Sequence, residues 1–325
     1  MQYRRIGTNG PTVSALSMGS WHTYGRLSFE AGVALVRRAF ELGVNTFDVA
    51  YYRDQPHTEV LFGRILDVVG KSRDEYRLIE KLWFTTYPEK SLAKQFQESL
   101  VRLGRDRADM LLSEHPRPGM NVEALTEEIA DIVVSGRAGC WGAMNWSIAD
   151  IRRAYEHTDR LGLPKPQLAE LKYNIARSGV VDSERFHALC AETGITLVAS
   201  DTMEGGVLAG KLQPARKIGI DTGNIRDDIK ALAPRMAAVA AEFEVTPAQI
   251  AIAFCAANRL TSSVLCGVTR IAQLEENVAA LKLAADHGQR LREAVSMFAV
   301  GGHVEEAPYN FNAALTPDFI SVAGA

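Results

Sequence analysis

Short apolar runs alternate with amphipathic stretches along almost the whole of this 325-residue chain. The runs fall at 15–19, 44–48, 77–81, 109–113, 140–143, 167–171, 196–200 and 263–266. Helical spacing is read at 29–42, 58–69, 91–103 and 122–135, from the cap Ser147, at 182–193, from the cap and first-turn proline Thr246-Pro247, and at 271–281. Such alternation predicts a parallel sheet covered by helices. Eight strand–helix units close into a (β/α)8 TIM barrel more readily than they form an open sheet. A doubly wound sheet would want a Gly-rich dinucleotide turn after an early strand, and none is present. Residues 2–14 read as an N-terminal β-hairpin turning through Gly7-Thr-Asn-Gly10. The sequence predicts a long polar loop after Ser200, a C-terminal helix near 285–299 and an irregular polar tail from Gly301. Tyr309, Phe311 and Phe319 would pin that tail down or line a pocket at the barrel mouth. One domain over 1–325 is expected.

Composition narrows the function classes. The chain is 47% apolar and 23% charged, ordinary for a globular protein, and its net charge of -3 without a basic run argues against nucleic-acid binding. No stretch has the apolar length that spans a bilayer, and the first twenty residues lack the apolar segment of a signal peptide. Cys140, Cys190, Cys255 and Cys266 lie far apart, without metal-ligand spacing, and read as reduced thiols of a cytoplasmic protein. The expected partner is a small-molecule substrate.

Chemistry is first suggested at Gly43-Val-Asn-Thr-Phe-Asp48. Gly43 suits the left-handed conformation that closes a helix, and the strand after it ends on a carboxylate. The next strand ends on Lys81. Charged residues at the C-terminal ends of barrel strands point to the face where barrels carry chemistry, so Asp48 and Lys81 are expected to pair there.

These residues, with Tyr3-Arg-Arg-Ile-Gly7, Met18-Gly-Ser-Trp21, Glu59…Gly63, Trp141-Gly…Asn145-Trp-Ser147, Gly206-Val-Leu-Ala-Gly-Lys211 and Gly267-Val-Thr-Arg270…Gln273-Leu-Glu-Glu-Asn277, resemble an aldo-keto reductase, most closely the branch containing the potassium-channel β subunits. The resemblance implies reduction of carbonyls with NADP(H). A tyrosine donates the proton, a lysine held by an aspartate raises its acidity, and a histidine orients the carbonyl oxygen. Asp48 and Lys81 match the aspartate and lysine. Arg53 stands at the tyrosine position, directly after Tyr51 and Tyr52; a loop rearrangement would bring a tyrosine in, with Tyr52 the candidate acid. Arginine keeps its proton in proteins, but its fork can clamp a carboxylate. Glu114 falls at the histidine position and His115 follows it.

For the cofactor, the resemblance implies adenosine-end contacts from Gly267, Thr269, Arg270, Gln273, Glu276 and Asn277, and a pyrophosphate loop through Gly206, Leu208, Gly210 and Lys211. Asn145 and Glu170 would face the nicotinamide, although Met144, Glu170 and Ser200 replace the family's serine, glutamine and stacking aromatic. Trp21 and Trp83 are candidate substrate-pocket walls. The leading expectation is a reductase of a small carbonyl or imine with an atypical catalytic tetrad. Two alternatives stand beside it: a non-redox isomerase, dehydratase or lyase using Lys81 with Glu114, Glu170 and His115, and a nucleotide-sensing binding protein.

Overall fold

The computed structural model describes residues 1–212 and 225–300. Its strands are β1 (Tyr3–Arg5), β2 (Thr12–Ser14), β3 (Leu16–Gly19), β4 (Thr46–Asp48), β5 (Arg77–Leu82), β6 (Ala108–Glu114), β7 (Ala138–Met144), β8 (Leu168–Lys172), β9 (Thr196–Ser200) and β10 (Thr261–Cys266). β3 to β10 pair in parallel and close on themselves, β10 lying between β9 and β3. All eight apolar runs of the sequence are barrel strands.

Local chemistry explains the repeat. Helix α1 (Phe29–Glu41) starts on Ser28, whose side chain accepts from the Ala31 N–H. The chain then turns at Gly43, φ +82°, where a Cβ would also come within 3.0 Å of the Tyr3 hydroxyl oxygen. Only a glycine fits that approach comfortably, and it feeds the chain directly into β4. After α2 (Thr58–Val69), which starts without a side-chain cap, the helices follow the same plan: α3 (Leu92–Leu103) on the cap Ser91, α4 (Val122–Val134) on Asn121, α5 (Ile148–Leu161) on Ser147 and α6 (Glu184–Thr193) on Ser183.

Side chains of the strands divide between two cores. Ile79, Met110, Leu112, Cys140, Met144, Leu168 and Val198 fill the barrel, joined by Ile6 and Val13 from the β1–β2 hairpin. That hairpin closes one end: Arg4 donates to the carbonyls of Ala256 and Thr261, and the Gly7 N–H to Thr196 Oγ1. A larger apolar layer lies between strands and helices. The opposite end, where the strands finish, carries the polar residues discussed below.

Two stretches differ from the sequence expectation. Part of the expected polar loop is helical, α7 (Ile225–Ala231) and α8 (Ala233–Glu242), the second burying Met236, Val239 and Ala240. Alanine-rich spacing gave that face little contrast. After α9 (Pro247–Ala257), the two helices expected beyond 271 are one element, α10 (Ile271–Ala294), bent at His287, where φ is -135°. Tyr309, Phe311 and Phe319 lie outside the described residues. Among the described residues no single helix is long and apolar enough to cross a membrane.

Candidate active site

The pleat of β5 decides which of its charges enters the barrel. Ile79 belongs to the inner core, so Lys81 also points inward and Glu80 outward. Lys81 Nζ lies 2.9 Å from Asp48 Oδ2, at the end of β4, and 3.0 Å from Glu170 Oε1 on β8. All three are buried: 7% of Lys81, none of Asp48 and 4% of the Glu170 side chain is exposed. Burial alone would lower the Lys81 pKa, but Asp48 and Glu170 outweigh it and raise it well above the ordinary value. The ammonium therefore keeps its proton and acts as a fixed charge. Glu170 moves the opposite way to an exposed carboxyl. Burial is the main cause, Asp48 adds to it and Lys81 opposes, and its pKa rises to about 8. Near neutrality the Lys81 ammonium thus faces a Glu170 carboxyl that burial holds toward its protonated form.

Tyr52 joins them. Ser20 donates to its hydroxyl at 3.5 Å, and the hydroxyl feels the charges of Lys81, Asp48 and Glu170. Burial raises the phenol's pKa, and Lys81 draws it back. A bridge between Tyr52 and Gln55 shapes the loop, and two indoles hold the ring. Trp21 stacks on it at 6.1 Å and 27°, and Trp83 meets it edge-on at 6.1 Å and 61°. Tyr51 goes elsewhere, its ring under the Arg102 guanidinium at 4.8 Å. Arg53 is exposed and makes no ion pair among the described residues. The tyrosine one position before the family's own thus lies within electrostatic range of Lys81.

At the end of β6, Glu114 is 2% exposed and its Oε2 accepts the Phe84 N–H at 2.6 Å. Burial raises its pKa, against the pull of that N–H and of Arg117. His115 is buried beside it.

The strand ends on the other side carry the cofactor candidates. Asn145 takes a left-handed φ of +57°; its N–H donates to the Glu170 carbonyl and its Oδ1 accepts from the Lys172 N–H. Ser200 ends β9, 8% exposed, so no aromatic ring stands at that position. Past β9 a turn runs through Glu204–Ala209, with Gly206 at φ +99° and Gly210 at φ +92° and Leu208 buried between them. This turn is anchored by residues that no sequence motif marked. Arg177 Nε and Nη2 both reach Glu204, at 2.6 and 3.3 Å, and Asn174 donates to Glu204 Oε1 at 2.8 Å. Lys172, also unmarked, lies 3.7 Å from Asp201.

Gly267 is exposed at the end of β10, and Gln273 Oε1 accepts the Thr269 N–H, turning the chain into α10. Arg270, the N-cap residue, supplies no side-chain cap, is exposed and makes no ion pair among the described residues; the same holds for the charge on Lys211. Glu276 accepts from Thr246 Oγ1, and Asn277 is buried against Cys266. A dinucleotide phosphate fits the chemistry of these donors: two exposed cations without ion-pair partners among the described residues, glycines in left-handed backbone and a helix N-terminus without a side-chain cap.

The sequence profile of the aldo/keto reductase family matches residues 15–295. A probable voltage-gated potassium channel subunit beta of Arabidopsis thaliana is 31% identical over 301 residues, covering 86% of this chain and 91% of the relative. Its Oryza sativa subsp. japonica counterpart of the same description gives the same identity and coverage. A putative voltage-gated potassium channel subunit beta of Schizosaccharomyces pombe is 25% identical over 307 residues, covering 86% of this chain and 88% of that protein.

Proposed function

The chain belongs to the aldo/keto reductase family, and from that premise we propose that it is an NADP(H)-dependent oxidoreductase reducing a carbonyl or imine of a small molecule through a remodelled site. The observation that carries the reading is Tyr52: a phenol clasped by two indoles and facing a lysine held between the Asp48 and Glu170 carboxyl groups. The bound nicotinamide would supply hydride. Arg270 and Lys211 would hold its phosphates, and Asn145 and Glu170 its nicotinamide end.

As negative charge builds on the substrate oxygen, Tyr52 gives up its proton to it. Lys81, charged and immobile, stabilises the phenolate left behind, and Asp48 keeps Lys81 oriented. Trp21 and Trp83 shield the reacting group from water. A lysine held this firmly protonated makes a poor general base, which weighs against proton abstraction by Lys81. The test is a titration of the full chain with NADPH, followed by its reduced-nicotinamide fluorescence, and then oxidation of NADPH with a panel of aldehydes and ketones. Saturable binding and carbonyl-dependent oxidation are expected. No binding at near-millimolar NADPH would overturn the proposal.

A further inference from the structure

Two side chains at the barrel mouth carry buried donors that lack an acceptor among the described residues. Arg117, in the loop after β6, is half-buried, and its Nε and Nη2 are both shut off from water with no partner. Trp83, packed on the inner core and edge-on to Tyr52, has its Nε1 buried in the same condition. Leaving such groups unpaired is costly, more so where they are charged, so native proteins seldom tolerate them without a use. Glu114 ties the two together. Its Oε2 is taken by the N–H of Phe84, the residue after Trp83, and Arg117 is close enough for its charge to act on the same carboxyl.

Nε and Nη2 lie on one edge of a guanidinium, the edge that grips a carboxylate with two parallel bonds. Arg177 shows that edge in use, with both atoms on Glu204. In Arg117 the same edge is buried and unpaired among the described residues. We propose that Arg117 and Trp83 form a subsite for a carboxylate carried by the substrate, so that the chain selects acidic carbonyl compounds such as oxo acids and aldehyde acids. The inference rests on the reductase reading for the carbonyl end alone. Arg53, by contrast, stands in solvent, where a single ion pair is worth little.

Benzoate and benzamide share one shape and differ in charge, so calorimetric titration of the NADPH-saturated full chain with each reads the subsite without turnover. Benzoate is expected to bind about tenfold or more tightly than benzamide, the preference falling to about twofold in Arg117→Gln and to an intermediate value in Arg117→Lys. Equal binding of the two by the wild-type chain, which needs no variant, would overturn the proposal. So would a preference that survives Arg117→Gln. In parallel, kcat/KM is measured for 4-carboxybenzaldehyde and its methyl ester, with the acid expected to lead by a similar factor. A benzoate preference without turnover of either aldehyde upholds the subsite and sinks the reductase reading. Turnover of acid and ester alike, without a benzoate preference, does the reverse.

Discussion

Glu80 and Lys81 are neighbours on β5, and the pleat sends them into opposite faces of the barrel wall. Each belongs to a group of two acids and one base. Inside, Lys81 sits between Asp48 and Glu170 at 2.9 and 3.0 Å, so one cation serves both carboxyls. Outside, Glu80 is fully buried near Glu59, yet neither carboxyl oxygen has a hydrogen-bond partner among the described residues. The one base there, Arg102, is 27% exposed and spends itself on Glu59, Ser99 and the face of Tyr51. The same charge count thus gives two outcomes. A cation placed centrally makes a rigid electrostatic unit, whereas a peripheral one leaves an acid that burial must neutralise. The first arrangement faces Tyr52 and suits proton transfer; the second faces helices and bears on stability.

Breaking the inner unit should have the largest effect. Lys81→Met leaves two carboxyls facing each other without a cation, and we expect a loss of about 3–5 kcal/mol in unfolding free energy by urea titration, with carbonyl reduction abolished. Arg102→Met, partly solvated, is expected to cost about 1 kcal/mol. Equal losses for the two would erase the distinction between the faces. Next comes Tyr52→Phe, which leaves the inner charges in place and removes the acid. Its kcat/KM on a generic aldehyde should fall about a hundredfold or more, while Tyr51→Phe stays within about twofold. A larger loss from Tyr51 would mean that the loop delivers the other phenol.

Sequence reasoning could see one face of this comparison better than the other. Asp48 and Lys81 were legible because Asp48 ends β4 and Lys81 stands one residue before the end of β5, and strand ends follow from local patterning and the turn at Gly43. Glu170 stood out as a departure from the family's glutamine and as a companion of Lys81 in the non-redox alternative. That it reaches Lys81 depends on barrel closure, which sets β8 across from β5, and no local pattern encodes that. Counting along the chain placed Arg53 at the acid's position. The Tyr52–Gln55 bridge and the stacking of Trp21 choose Tyr52 instead, and these are contacts between loops. Arg117, Arg177 and Glu80 were invisible for the same reason: an arginine or glutamate in sequence says nothing of which neighbours its burial will supply.

Glu170 offers a sharper test of the inner unit. Its pKa of about 8 lies above the ordinary 4.5, so it is neutral at pH 7 and ionises as pH rises through about 8. The added negative charge near Tyr52 then opposes charge on the substrate oxygen. We expect kcat/KM to decline above pH 8, by about tenfold per unit if only the neutral form works, and Glu170→Gln to remove that inflection. The sign for stability is the same. The folded chain holds a proton that the unfolded chain has released, so Glu170's contribution is complete below pH 4.5 and lost as pH climbs through about 8. A wild-type profile flat across pH 8 would show that Lys81 keeps Glu170 ionised, making the inner unit an ordinary ion triad.

The smallest effect belongs to the outer face. Burial first, then the charges of Glu59 and Asp48, raise the Glu80 pKa well above the ordinary 4.5, with Arg102 opposing. The folded protein therefore retains a proton at Glu80 that the unfolded chain gives up once pH exceeds 4.5, and stability drains away as pH rises. Glu80→Gln removes the titration and leaves the shape. Its unfolding free energy should match the wild type near pH 4 and exceed it by about 1 kcal/mol near pH 8, read by urea midpoints at both. Carbonyl reduction should not change, since the side chain never enters the barrel. A gap that is the same at both pH values would mean that Glu80 finds a cation after all, and that the two faces of β5 solve one problem in one way.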